Sequence, residues 1–138
     1  MERSPELQEL ISAWFAAFSR GDGAWIKRHI SRNDDVRLIG TDPSNWYEGE
    51  RVGEFLSAAV DELGGAVKIF PTEDMLALRE ERIGWGVTRA TLQLPNAKEV
   101  ELRWSAVFRQ EGDEWRAVQI HGSLAVPDDK VFGAEAQR

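Results

Sequence analysis

Apolar residues in the first half of the chain recur every three or four positions, which is the spacing of one face of a helix. The first set predicts a helix whose apolar face consists of Leu7, Leu10, Ile11, Trp14, Phe15 and Phe18. Ser4 and Pro5 suit its N-cap and first helical position, and Gly21 suits its end. Asp22 then caps a short second helix that runs to about His29.

A third helix follows, and the period then changes. The apolar face of this helix, which ends at Gly64 and Gly65, consists of Val52, Phe55, Leu56, Ala59, Val60 and Leu63. From about residue 66 onwards the pattern becomes that of strands. The longest predicted strands and the hairpin loops between them cover residues 83–94, 95–98, 99–110, 111–113 and 114–126. Helices first and an antiparallel sheet second predict an α+β fold.

Composition narrows the class of protein. A chain of 138 residues suits one domain, and we expect its polar end, from about 127 to 138, to be a loose tail. The net charge of −7 lacks the basic footprint that nucleic acid or an anionic membrane surface requires. The absence of cysteine excludes disulfides, thiolate metal sites and a cysteine nucleophile. We find no signal-peptide pattern and no apolar run of roughly 18 residues, so we expect a cytoplasmic protein.

Hairpin geometry predicts which strand residues share a face of the sheet. With residues 95–98 as the turn, Arg89 lies opposite Trp104, and directly opposed residues point to the same side. The next hairpin then places Trp104 opposite His121, or opposite Gln119 if its turn is tighter. We therefore expect Arg89, Trp104 and His121 to form one row on the inward face. That predicted face as a whole consists of Trp85, Val87, Arg89, Trp104, Ala106, Phe108, Trp115, Gln119, His121 and Ser123.

A face that mixes tryptophans with an imidazole, an amide and a hydroxyl is typical of a small-molecule cavity. His121 is the candidate catalytic acid or base, and Asp42, beside Pro43 in a turn-rich loop, is the second candidate. The alternatives are a structural histidine and a turn-forming aspartate. Arg89 either clamps an anionic ligand or pairs with a carboxylate such as Asp42 or Glu48. The other candidate ligand-binding residues are Trp14, Phe18, Trp46, Tyr47, Trp104, Phe108 and Gln119.

The other face of the last predicted strand also carries apolar residues that need cover. They are Val118, Ile120, Leu124 and Val126, joined by Val107 from the preceding strand. Because the helices are expected on the concave face, we expect a second copy of the chain to cover this surface and form a homodimer.

Three segments of the chain resemble the NTF2-like superfamily and, within it, the SnoaL-like domain. They are the end of the first helix at 18–22, the loop at 40–49 and the last strand at 115–123. The resemblance implies a cone in which a curved antiparallel sheet wraps around three N-terminal helices. In comparison with the ketosteroid isomerases of this superfamily, Gly40 stands at the base position. The positions of their two oxyanion-hole groups hold Trp14 and Ala106.

This comparison argues against an enolising isomerase, which needs a base and hydrogen-bond donors for the enolate. The polyketide cyclases of the SnoaL group use a pocket aspartate, for which Asp42 is the nearest candidate in this chain. His29 and His121 lie far apart without clustered carboxylates, so we expect neither a metal nor a cofactor.

Two hypotheses follow from the sequence. The first is a dimeric protein that binds a small, partly apolar molecule and acts as an isomerase, cyclase, dehydratase or hydrolase through His121 and Asp42. The second is a non-catalytic ligand sensor or association module. A catalyst should leave His121 facing open volume beside a second titratable group, whereas an association module should fill that volume with its own tryptophans. The sequence names no substrate and does not establish whether the protein is an enzyme.

Overall fold

The computed structural model describes residues 1–133 and contains the three predicted helices and, after them, the three long predicted strands. The helices are α1 (Pro5–Ser19), α2 (Gly23–Arg28), α3 (Glu50–Leu63) and α4 (Asp128–Val131). The strands are β1 (Glu2–Arg3), β2 (Arg37–Ile39), β3 (Trp46–Glu48), β4 (Lys68–Pro71), β5 (Leu76–Glu80), β6 (Ile83–Gln93), β7 (Glu99–Glu111) and β8 (Glu114–Ser123). The predicted α+β class is confirmed.

The strands form one curved sheet in the order β1-β5-β6-β7-β8-β2-β3, and β4 pairs with the far end of β6. The named strands pair antiparallel except β2 and β8, which run parallel. The parallel pair places the loop after β2 beside the end of β8. We call the sheet face that packs against α1 the inner face, and the opposite one the outer face.

Helix α1 packs very close to the inner face of β6. Ser4 caps it by accepting a hydrogen bond from the backbone N–H of Leu7 at 3.1 Å. A Cβ at Gly84 would lie 2.3 Å from Cδ1 of Leu7, and one at Gly86 would lie 2.3 Å from Cδ1 of Ile11. Two glycines in this strand therefore leave room for the side chains of α1.

The pairing of β6 with β7 differs from the prediction by one residue. Gln93 pairs with Glu99, because Leu94 N–H bonds to Lys98 C=O and lengthens the predicted loop to 94–98. Arg89 consequently lies opposite Arg103 rather than Trp104. Since a slip by one residue exchanges the two faces, Trp85, Val87 and Arg89 lie on the outer face. The predicted inward orientation of these three residues is wrong.

Strand β8 contains a β-bulge that reverses its alternation of faces. Phe108 pairs with Ala117, as predicted, but Val107 pairs with Gln119, which leaves Val118 as the extra residue. Beyond the bulge, Ile120 turns inward and is only 3% exposed. The predicted inward face of the end of this strand is therefore wrong. In the structure, the residues of this end that lie on the outer face are Gln119, His121 and Ser123.

The core lies between α1, α3 and the inner face. At one edge, Ser31 and the Arg109 guanidinium both donate to the Glu111 carboxylate, at 2.7 and 2.9 Å, and Arg109 also bonds Asp35 at 2.8 Å. This network ties the segment before β2 to the β7–β8 hairpin. In the predicted tail, α4 is fully exposed, and residues 134–138 lie outside the described residues. Within residues 1–133 no helix is long and apolar enough to span a membrane.

Candidate functional site

An apolar cavity of about 260 Å³ lies between the inner face and helices α1 and α3. Its lining residues are Trp14, Phe15, Phe18, Leu38, Ile39, Gly40, Thr41, Asn45, Phe55, Leu56, Ala59, Val67, Ile69, Leu92, Leu102, Trp104, Ile120 and Gly122. Within residues 1–133, no aspartate, glutamate, histidine, lysine, arginine or tyrosine belongs to this lining. The cavity therefore offers apolar contact and no titratable side chain.

Three aromatic residues, Trp14, Phe15 and Trp104, form one wall of the cavity, which we call the aromatic wall. The ring centroids of Trp14 and Trp104 are 6.3 Å apart, and those of Phe15 and Trp104 are 5.0 Å apart with an edge-on geometry. Trp14 also packs edge-on against Trp25 from α2, at 6.2 Å. Edge-to-face packing of this kind holds the rings in place, so the wall is preformed.

The polar part of the lining comes from the loop between β2 and β3. Gly40 N–H donates to Asn45 C=O at 2.9 Å, which closes the loop at its base. Inside the loop, the backbone N–H of Asp42 donates to Oδ1 of Asn45 at 3.2 Å. Asn45 is half-buried, whereas its neighbour Thr41 is exposed. The loop thus presents a held amide and a solvated hydroxyl to an otherwise apolar cavity.

Three of the sequence-predicted site residues meet at this cavity, namely Trp14, Phe18 and Trp104. Phe108 is fully buried in the core and lies outside the lining. Trp46 is 62% exposed on β3. Tyr47 stacks on Phe55, with ring centroids 4.1 Å apart, and so supports a cavity residue from behind.

The predicted row of Arg89, Trp104 and His121 does not form. His121 lies on the outer face, opposite Ser105 of β7, and does not line the cavity. Gln119 shares that face. The structural cause is the bulge at Val118, so the imidazole and the aromatic wall lie on opposite sides of the sheet.

Arg89 is 68% exposed and has carboxylate partners that the sequence reading did not name. Its Nε lies 3.7 Å from Oδ2 of Asp74 and 4.0 Å from Oε1 of Glu101. The expected partners Asp42 and Glu48 are therefore wrong. Exposed pairs of this kind contribute little to stability, and Arg89 is not placed to clamp a ligand in the cone.

Asp42 lies in the exposed turn of the β2–β3 loop and does not line the cavity. Its carboxylate accepts hydrogen bonds from the hydroxyl and the backbone N–H of Ser44. The hydroxyl bond, followed by the backbone bond, holds the pKa of Asp42 below its ordinary value. A carboxylate with a lowered pKa is a weaker base, and this one is already used to shape the turn.

Sequence reasoning missed most of the walls. The apolar face of α3 was visible in the sequence, but helical period alone does not tell a cavity wall from core. Asn45 reads as a turn residue, and only the structure shows that it lines the cavity. As to metals, no group of three or more His, Asp or Glu side chains within residues 1–133 could hold an ion.

The chain belongs to the SnoaL-like domain family, whose sequence model matches residues 7–127. The match covers the cone and the loop that carries Asn45, and it confirms the resemblance drawn from the sequence. No curated protein matches the chain at a significant level.

Solved structures share the fold at low sequence identity. An NTF2-like protein of unknown function from Pseudomonas putida KT2440 has a TM-score of 0.79 and 13% identity, covering 94% of each chain. A candidate ketosteroid isomerase from Shewanella frigidimarina NCIMB 400 has a TM-score of 0.68 and 14% identity, covering 83% of this chain and 92% of that one.

A candidate calcium/calmodulin-dependent protein kinase II association domain from Xanthomonas campestris has a TM-score of 0.65 and 17% identity, over 91% of this chain and 95% of that one. At these identities the likeness establishes the NTF2-like fold alone. Proteins with this fold carry names that range from an isomerase to an association domain, so the site must decide the function.

Proposed function

We propose that this chain binds a small, predominantly apolar molecule in its cone, and that the site acts by binding rather than by acid–base catalysis. The observation that carries this proposal is the lining, in which uncharged and mainly apolar side chains surround the polar loop between β2 and β3. Binding sites for small molecules combine apolar walls with a few placed polar groups in this way.

The size of the cavity supports a ligand of about ten to twelve non-hydrogen atoms. A dry protein cavity of about 150 Å³ accommodates benzene, and this cavity is larger, at about 260 Å³. For a ligand of that size, we expect a dissociation constant on the order of 10 µM. The preformed aromatic wall lowers the ordering cost of binding, because Trp14 and Trp104 are already packed.

The lining also weighs against catalysis of the ketosteroid isomerase type. That chemistry requires a base for a carbon-bound proton and donors for the enolate oxygen. The resemblance links those roles to Gly40, Trp14 and Ala106 in this chain, and none of these residues has a titratable side chain. The nearest carboxylate in sequence, that of Asp42, lies outside the lining. Binding of an apolar molecule explains the same cavity, because a binding site needs no catalytic base.

A matched pair of cavity variants on α3 tests the proposal. Ala59 lines the cavity, whereas its neighbour Ala58 is exposed. Ala59→Phe should fill part of the volume and raise the dissociation constant for tetralin, a bicyclic hydrocarbon, by at least tenfold. Ala58→Phe adds the same side chain outside the cavity and should leave it unchanged. Quenching of tryptophan fluorescence and calorimetry measure both. Equal tetralin affinity in the two variants would contradict the proposal.

A second candidate function is self-association through the outer face. Ile83 and Val87 are 45% and 39% exposed there, with Trp85 between them in the strand. We infer that a second copy of the chain covers this surface, because neighbouring exposed apolar residues on a sheet face typically mark a contact surface. This surface on β6 is not the predicted one, which consisted of Val107, Val118, Ile120, Leu124 and Val126, and Ile120 is buried on the inner face. This dimer and the cone ligand occupy opposite faces and do not exclude each other.

A further inference from the structure

We propose that Asn45 is the polar anchor of the cone, and that the ligand therefore carries a neutral oxygen acceptor, a carbonyl or hydroxyl, at one end of an apolar skeleton. This inference rests on the proposed function, because it names the class of molecule that the cavity binds. It assigns to Asn45 a role in ligand specificity.

A hydrogen bond within the loop determines the orientation of the Asn45 amide. Its Oδ1 accepts the backbone N–H of Asp42 at 3.2 Å. Only the oxygen of the amide can accept a hydrogen bond, so this contact determines which end is the NH₂ group. Within residues 1–133, Nδ2 donates to no protein acceptor. The Asn45 amide therefore has two N–H donors that are free to bind a ligand, while its oxygen already accepts a hydrogen bond.

Gly40 holds the Asn45 side chain in place. Gly40 and Asn45 face each other so closely that a Cβ on Gly40 would lie 2.7 Å from both Cβ and Oδ1 of Asn45. The backbones of the two residues are also bonded, through Gly40 N–H and Asn45 C=O at 2.9 Å. A side chain fixed in this way loses little further freedom when a ligand binds, which favours recognition.

The uncharged lining of the cavity favours an uncharged ligand. Within residues 1–133 the lining contains neither a cationic nor an anionic side chain. A carboxylate or an ammonium group in the cavity would lose its hydration without gaining a counter-charge, which is costly. A neutral oxygen has no such cost and can accept from Nδ2. The polar groups and the absence of charge thus point to the same ligand class.

The two polar side chains of the loop, those of Thr41 and Asn45, differ in their exposure to water. Thr41 also lines the cavity, but it is exposed, and water already satisfies an exposed hydroxyl. Asn45 is half-buried, and its oxygen is tied to the backbone of Asp42. A donor that is oriented and partly removed from water gains more from a ligand acceptor than a solvated one. Asn45 is therefore the anchor.

The experiment compares tetralin with tetralone, which has the same skeleton and one carbonyl. Asn45→Ala should raise the dissociation constant of tetralone about fivefold, the value of one hydrogen bond, and leave that of tetralin within about twofold. Asn45→Asp keeps the oxygen that accepts from Asp42 but has no NH₂ group, and it should give the same selective loss. It serves as the second variant if Asn45→Ala does not fold.

The matched control is Asn96→Ala. Asn96 also accepts a backbone N–H through Oδ1, from Lys98 at 3.0 Å, but it lies in the hairpin loop outside the cavity lining. This control should bind both probes like the unmodified protein. An unchanged ratio of the two dissociation constants in the Asn45 variants, or a selective loss of tetralone in Thr41→Val instead, would overturn the anchor alone. If neither probe binds the unmodified protein, the proposed function fails together with the anchor.

Discussion

His121 lies directly opposite Ser105 in the pairing of β7 with β8, on the face of the sheet that points away from the helices. One residue further along, Gly122 lies opposite Trp104 and lines the cavity. The bulge at Val118 produces this arrangement. It separates the imidazole, the most obvious catalytic candidate in the sequence, from the apolar cone.

We predict that His121→Ala leaves the dissociation constant for tetralin within about twofold of the unmodified value. The physical reason is that the sheet itself stands between His121 and the cavity. Calorimetric titration measures the effect, with Ala59→Phe as the variant that must lose affinity in the same assay. A loss of binding in His121→Ala, in a protein that still melts normally, would place the imidazole at the ligand.

The network of Asp35, Arg109 and Glu111 should make stability depend on pH in the acidic range. Although burial alone raises the pKa of Glu111, hydrogen bonds from Ser31 and Arg109 outweigh it and lower that pKa. The bond from Arg109 likewise lowers the pKa of Asp35. Both carboxylates therefore bind protons more weakly in the folded state than in the unfolded state. Their contribution is present at neutral pH and is lost as pH falls below about 5.

Arg109→Met tests this account. It removes the bonds to both carboxylates, and loss of the bond to the partly buried Glu111 should lower the free energy of unfolding near neutral pH by about 1–2 kcal/mol. Denaturant unfolding at several pH values should show the difference from the unmodified protein shrinking towards acidic pH. The exposed Arg89 provides the control, because Arg89→Met should change stability by less than about 0.5 kcal/mol. A difference that stays constant with pH would mean that Arg109 acts through packing alone.

Gly84→Ala should destabilise the protein by about 1–3 kcal/mol, because it overpacks the contact with α1. The added Cβ would lie 2.3 Å from Leu7 Cδ1 and 2.9 Å from the backbone oxygen of Leu78. In Gly122→Ala, the matched glycine of β8, the nearest side-chain atom is Cδ1 of Leu102 at 3.6 Å, an ordinary contact. That control should fold with nearly normal stability. Equal thermal shifts in the two variants would contradict the close approach of α1 to β6.

The proposed dimer gives a prediction for the outer face. Val87→Glu places a charge on the exposed apolar surface and should shift the protein to a monomer in light scattering after size exclusion. Tetralin binding should persist in that monomer, because the cavity lies on the other face. As a control, Ala58→Glu on the exposed side of α3 adds the same charge and should leave the dimer intact. An unmodified protein that is monomeric at micromolar concentration would rule out the association.

Helical periodicity predicted the helices well, because the apolar faces of α1 and α3 both turn towards the sheet or the cavity and both helices carry clear boundary residues. Hairpin geometry also predicted the observed pairing of Phe108 with Ala117. The faces of β6 and β8 were not predictable in the same way. A loop longer by one residue and a bulge each change register by one, and neither has a distinctive residue. Ala97 takes a left-handed conformation in that loop, at φ +66°. A glycine or asparagine at this position would have indicated such a conformation in the sequence, whereas alanine does not.

One signal for the true face of β6 was present in the sequence. Gly84 and Gly86 alternate with Trp85 and Val87, and a turn over residues 95–98 predicts that the two large residues point inward. The structure has the opposite arrangement, since a helix that packs closely needs small residues beneath it. Asn45 could not be identified before the loop was closed, because its role depends on contacts with Gly40 and Asp42 that no spacing reveals.

The most direct test of the central claim, ligand binding in the cone, is a methyl NMR titration of the full chain with tetralin. Ile69, Ile120 and Leu102 line the cavity, whereas Ile83 lies on the outer face. We predict that the methyl signals of the first three shift together and saturate while that of Ile83 stays in place. A shift of Ile83 without shifts of Ile69 and Ile120, or no saturable shift at all, would contradict the account.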